Sequence, residues 1–126
     1  MPLARIDLPT SVDPQRRTLI ADIVYQTLVD VLNVPQNDRF QIVTAHTKET
    51  LLIDPTYLNI DRSADAFIID ITLNAGRSTD LKKLFYASLA ERLSERAQVR
   101  PEDIVVCLTE VTKENWSFGK GEAQYA

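Results

Sequence analysis

Leu3-Ala4-Arg5-Ile6-Asp7-Leu8 sets Ala4, Ile6 and Leu8 against Leu3, Arg5 and Asp7, the alternation of a strand with one face buried. Ala66-Phe67-Ile68-Ile69-Asp70-Ile71-Thr72-Leu73 reads as a second strand. Adding 65 carries Ile6 to Ile71, Leu8 to Leu73, Leu19 to Leu84, Leu28 to Leu93, Val34 to Val99 and Asp38 to Asp103. So many matches at one offset read as an internal duplication.

The segments after the two strands repeat as well. Ser11-Val12-Asp13-Pro14 is a helix start, with Asp13 as cap and Pro14 in the first turn. Leu19, Ile20, Ile23, Val24, Leu28, Val31 and Leu32 form an apolar stripe that stops near Asn33. Pro35-Gln36-Asn37-Asp38 is then a turn and Phe40 to Thr44 a strand. In the second half Ser78 to about Arg96 is helical, Pro101-Glu102-Asp103 turns, and Ile104 to Thr109 is extended.

The fold expected is α/β: two tandem βαβ units, about 1–45 and 66–110, forming a four-stranded sheet with two helices on one face. The bare opposite face calls for self-association. Leu51 to Leu58 is expected as short extended pieces around a turn, and Trp116-Ser117-Phe118-Gly119-Lys120-Gly121 as a C-terminal aromatic hairpin or lid.

The 126 residues, 44% hydrophobic and 25% charged, suit a single domain, 1–126. A net charge of −4 without a basic cluster argues against nucleic acid as a partner. The apolar runs are far below the roughly 20 residues a membrane helix needs. Met1-Pro2-Leu3-Ala4-Arg5 has neither basic leader nor apolar signal core, so the cytoplasm is the expected location. Cys107, alone in an apolar run, reads as a buried inert thiol, and His46, without a nearby His or Cys, as structural or solvent-facing. Neither a metal site nor a cofactor is expected.

Pro2 stands out chemically. Removal of Met1 would leave a secondary amine able to act as base, as acid, or as the partner of a carbonyl in an iminium. Asp38, at the turn before a strand, is placed to orient water or to hold a protonated amine. The alternative is a turn aspartate bonded to its own backbone, the role expected of Asp103. Arg77, just before the second helix, has the fork that binds carboxylates, or else is a solvated arginine or makes an intersubunit salt bridge. Trp116 and Phe118 wall a small pocket or pack at a subunit interface.

Together Met1-Pro2-Leu3, Val34-Pro35-Gln36-Asn37-Asp38-Arg39-Phe40, Leu73-Asn74-Ala75-Gly76-Arg77 and Asn115-Trp116-Ser117-Phe118-Gly119-Lys120-Gly121 resemble the tautomerase superfamily over nearly the whole chain, and within it the malonate semialdehyde decarboxylase group. The resemblance implies paired βαβ units in a homotrimer, a catalytic amine at Pro2, a supporting carboxylate at Asp38 and two substrate-binding arginines one residue apart. Arg77 matches one of these, but Ala75 stands where the other belongs, leaving Asn74 as the nearest polar residue. The implied activity is decarboxylation of a small 3-oxo acid such as malonate semialdehyde, with Pro2, Asp38 and Arg77 catalytic and Arg77, Asn74, Trp116 and Phe118 around the substrate. Keto-enol tautomerisation of a 2-oxo acid uses the same residues, hydration of an acetylenic or halogenated acid is a further activity of a cationic amine, and a non-catalytic trimeric binding protein is the alternative from another class.

Overall fold

The computed structural model describes residues 1–126. β1 (Leu3–Pro9), α1 (Pro14–Leu32) and β2 (Gln41–His46) form one βαβ unit; β3 (Phe67–Asn74), α2 (Thr79–Ala97) and β4 (Ile104–Val111) form the other. The helix boundaries have local causes that recur in both halves. Asp13 accepts a hydrogen bond from the Arg16 amide and Ser78 from the Leu81 amide, each satisfying a free first-turn donor. Asn33 and Gln98 end the helices in the left-handed conformation, and they too lie 65 residues apart.

The sheet order is β2-β1-β3-β4. Strands within a unit are parallel, whereas β1 and β3 run antiparallel with Leu3 opposite Thr72. Ala4, Ile6 and Leu8 of β1 and Phe67, Ile69, Ile71 and Leu73 of β3 face the core, with Ile20, Ile23, Val24, Leu28 and Leu32 of α1 and Phe85, Leu89, Leu93 and Ala97 of α2. Full burial of each large side chain contributes on the order of 1.5–3 kcal/mol. This core carries the fold, because the other sheet face, with Arg5, Asp7, Asp70 and Thr72, remains partly or fully open to solvent.

Several expectations need correction. Cys107 is exposed rather than buried: it pairs in register with Asp70 on the open face, while Val106 and Leu108 turn toward the core. Leu19 lies outside the buried stripe at 36% exposure, and its counterpart Leu84 is likewise outside at 54%. Leu51 to Leu58 does contain the expected turn, where Asp54 accepts from the Thr56 amide and a 3-10 turn follows at Tyr57–Asn59, but the pieces beside it pair into no strand. Beyond β4 the chain takes a 3-10 turn at Lys113–Asn115 and then turns without paired strands, so there is no C-terminal hairpin. Three consecutive residues there, Gly119, Lys120 and Gly121, have positive φ, which breaks extended pairing.

The antiparallel meeting of the two units has a geometric result. The starts of β1 and β2 and the ends of β3 and β4 lie at the same edge of the sheet. Pro2, Asp38, Asn74 and the segment leading to Trp116 therefore converge, although they span most of the sequence. The starts of β3 and β4, with Asp103, lie at the opposite edge.

Candidate active site

Pro2 is buried at the start of β1, and the Ala4 amide donates to the Phe40 carbonyl at 3.0 Å, which holds the Asp38 turn against it. Asp38 is only 3% exposed. Neither of its carboxylate oxygens accepts a hydrogen bond. Its one charged neighbour is the chain's terminal ammonium, here on Met1, 3.5 Å from Oδ2. Burial pushes the Asp38 carboxyl above its ordinary value, and the terminal ammonium opposes that rise.

The duplication supplies an internal comparison. Asp103 is equally buried, at 3% exposure, yet it accepts from the Ser63 amide at 2.7 Å and the Ser63 hydroxyl at 2.6 Å, and Arg100 lies 3.5 Å away. It is a satisfied structural aspartate. The same frame position at the other end leaves Asp38 without any such partner, a costly arrangement for a buried polar group.

Asn74 ends β3, and its side-chain oxygen accepts from the Trp116 indole at 2.8 Å. Trp116 stacks on Phe118 with ring centres 5.2 Å apart, and Phe118 reaches Phe40 at 5.6 Å. This aromatic row links the end of β3 to the Asp38 turn. Arg77 is also at this edge, but its guanidinium donates to the carbonyls of Asn74 and Leu32, both at 3.0 Å. Leu32 is the last residue of α1, where a cation complements the helix dipole. Three of the five guanidinium donors are left for other partners.

The fold thus brings Pro2, Asp38, Asn74, Arg77, Trp116 and Phe118 to one sheet edge. Sequence reading did not single out Phe40, Tyr125 or Gln124. Tyr125 meets Phe118 edge-on at 5.6 Å, and Gln124 bonds both the Phe118 amide and the Gly119 carbonyl at 2.9 Å. Phe40 was visible only as the aromatic after Asp38-Arg39, and the other two carry no pattern. His46 lies at the far edge, its Nε2 2.6 Å from Asp7 and its Nδ1 3.1 Å from Thr50. The largest cavity, about 710 Å³, is an open groove between α1 and β2 lined by Arg17, Thr18, Arg39 and Gln41; it includes none of the candidate residues. An open groove beside an edge strand lacks the enclosed, convergent polar groups of a reaction site.

No helix is long and apolar enough to cross a membrane. FG41 malonate semialdehyde decarboxylase, solved with the inhibitor 3-bromopropiolate, is 38% identical and superposes with a TM-score of 0.91 over 98% of this chain and 93% of its own. A fused 4-OT, solved as a symmetric trimer, shares the fold at 17% identity and a TM-score of 0.79, over 98% of this chain and 97% of its own. The probable tautomerase YusQ of Bacillus subtilis is 33% identical over 124 residues, 98% of each chain. Two family models, each described as tautomerase enzyme, match residues 38–119 and residues 2–59, and the chain accordingly belongs to the tautomerase family of enzymes.

Proposed function

We propose that this enzyme decarboxylates a small 3-oxo acid such as malonate semialdehyde, giving acetaldehyde and carbon dioxide, with the prolyl amine of Pro2 as the reacting group after Met1 is removed. The observation that carries the reading is Asp38: a buried carboxylate without a hydrogen bond, whose one charged neighbour is the chain terminus. Similarity to a malonate semialdehyde decarboxylase at 38% identity supports the choice of substrate.

Loss of carbon dioxide leaves an electron pair on the carbon next to the carbonyl. A cationic Pro2 amine accepts that charge by hydrogen bonding to the carbonyl oxygen; alternatively the amine in its neutral form attacks the aldehyde and, with uptake of a proton and loss of water, gives a cationic iminium that accepts it. In the second route the electron pair gives an enamine, which is protonated on carbon and hydrolysed to acetaldehyde and free amine. Asp38 favours the cationic amine, and the remaining donors of Arg77 hold the carboxylate. Trp116 and Phe118 exclude bulk water, which strengthens each of these interactions. The bare sheet face is covered in a homotrimer.

Turnover of malonate semialdehyde by protein whose N-terminus is verified by mass spectrometry as Pro2 is the test, and Pro2→Ala is expected to lower it at least about a hundredfold. Unchanged turnover in that variant would rule the assignment out. Similarity to a probable tautomerase favours a second reading, keto-enol interconversion of a 2-oxo acid with Pro2 neutral and acting as base. An enzyme that exchanges the C3 protons of a 2-oxo acid with solvent, without releasing carbon dioxide from any 3-oxo acid, would establish that reading instead.

A further inference from the structure

Asn74 stands beside the candidate site with its side chain held in one orientation. An indole nitrogen can only donate, so the atom of Asn74 facing Trp116 at 2.8 Å has to be the carboxamide oxygen. The amide flip that is usually ambiguous is settled by the chemistry of the partner. The two amide N–H donors of Asn74 then point away from Trp116. They have no partner in the chain, and the nitrogen is not among the buried, unpaired polar atoms, so it stays accessible. The Asn74 backbone is fixed as well, because its carbonyl accepts from Arg77. Arg77 and Asn74 are thus joined through one backbone carbonyl, which brings one guanidinium and one neutral pair of donors to the same end of β3.

We propose that Asn74, oriented by Trp116, is the specificity-determining residue of this site and restricts it to oxo acids with a single carboxylate. This inference rests on the site proposed above. Arg77 balances one negative charge. The donors of Asn74 suit the uncharged carbonyl oxygen of an oxo acid. A second carboxylate placed there finds no second guanidinium, and the cationic Pro2 amine is already balanced by Asp38, so its desolvation goes uncompensated. Trp116 acts as a positioning residue, since it reaches the ligand's partner rather than reacting atoms.

Acetoacetate and oxaloacetate test the inference, because both are 3-oxo acids and only the second has another carboxylate. Binding of each to the Pro2-terminated protein is measured by titration calorimetry. The parent is expected to prefer acetoacetate at least about tenfold, the size of one lost hydrogen bond in a closed site. Asn74→Arg is expected to reverse that preference. Trp116→Phe keeps the ring stack on Phe118 but frees the amide to turn, and is expected to erase the preference. Combined with Asn74→Ala, it is expected to add nothing beyond Asn74→Ala alone. A preference unchanged in both Asn74→Arg and Trp116→Phe overturns the proposal. Selective binding of acetoacetate by a parent that turns over no 3-oxo acid would reject decarboxylation while supporting the selectivity, whereas binding of neither acid would reject both.

Discussion

At the residue scale, the role proposed for Asp38 predicts that it sets stability against activity. Its carboxyl is raised above the ordinary value chiefly by burial, so the folded chain holds this proton more tightly than the unfolded chain does. The contribution to stability is complete below the unfolded value, near 3.8, and is lost as pH rises through the folded value. In its ionised form the group is therefore a net cost to the fold. Asp38→Asn is expected to melt at or above the parent's temperature at pH 7, with the advantage gone below about pH 3. Activity should fall by about a hundredfold or more in the same variant, and the alkaline limb of kcat/KM should move to lower pH as the amine loses its anionic neighbour. A variant that melts well below the parent at pH 7 would make Asp38 a structural residue. Pro2 and Asp38 were legible as residue types, one a rare amine and the other a carboxylate at a turn. The bond between Trp116 and Asn74 was not, because 42 positions separate them and neither residue marks the other in sequence.

At the scale of elements, the turn that carries Asp38 is clamped onto α1. The Tyr25 hydroxyl donates to the carbonyls of Pro35 and Gln36. The Arg39 guanidinium lies 5.3 Å above the Tyr25 ring and pairs with Asp22 at 2.7 Å. Gln41 joins the clamp, accepting from Arg39 and donating to the Ala21 carbonyl, both at 2.9 Å. The Asp38 carboxylate has no hydrogen bond, so its position rests on the backbone of the turn, where the Asp38 amide donates to the Pro35 carbonyl at 3.2 Å, and on this clamp. Tyr25→Phe and Arg39→Gln are expected to lower kcat/KM by roughly tenfold, because small displacements of a catalytic group are costly. Their melting temperatures should change little, as exposed ion pairs contribute under about 1 kcal/mol. Asp13→Ala is expected to do the reverse, costing about 1 kcal/mol of stability through the lost helix cap while leaving kinetics alone. Thermal melts paired with steady-state kinetics separate the two classes. The helices and strands were readable because Asp13-Pro14, Ser78 and the alternating β1 and β3 have causes within a few residues. Within Leu51 to Leu58 a turn was readable, but the 3-10 turn at Tyr57–Asn59 was not, because no periodicity marks it.

At the scale of the whole molecule, the bare sheet face should be covered by neighbouring copies. Cys107 reports on that face directly, because it is exposed in the single protomer. In a homotrimer its alkylation should be slow at high protein concentration and quicken on dilution, in step with the loss of trimer seen by sedimentation. Concentration-independent reactivity would place the subunit contacts elsewhere. The architecture was legible through the offset of 65, but the antiparallel joining of the two units was not, since no local pattern states which strands become neighbours. That joining places the two equivalent aspartates at opposite edges, one sealed by Ser63 and the other open to the chain terminus. With the proposed function, the molecule is a vessel with one welded end and one working end. Mutational drift is free to retune the working end for a new substrate while the weld keeps the body intact, so related enzymes should diverge in chemistry faster than in shape.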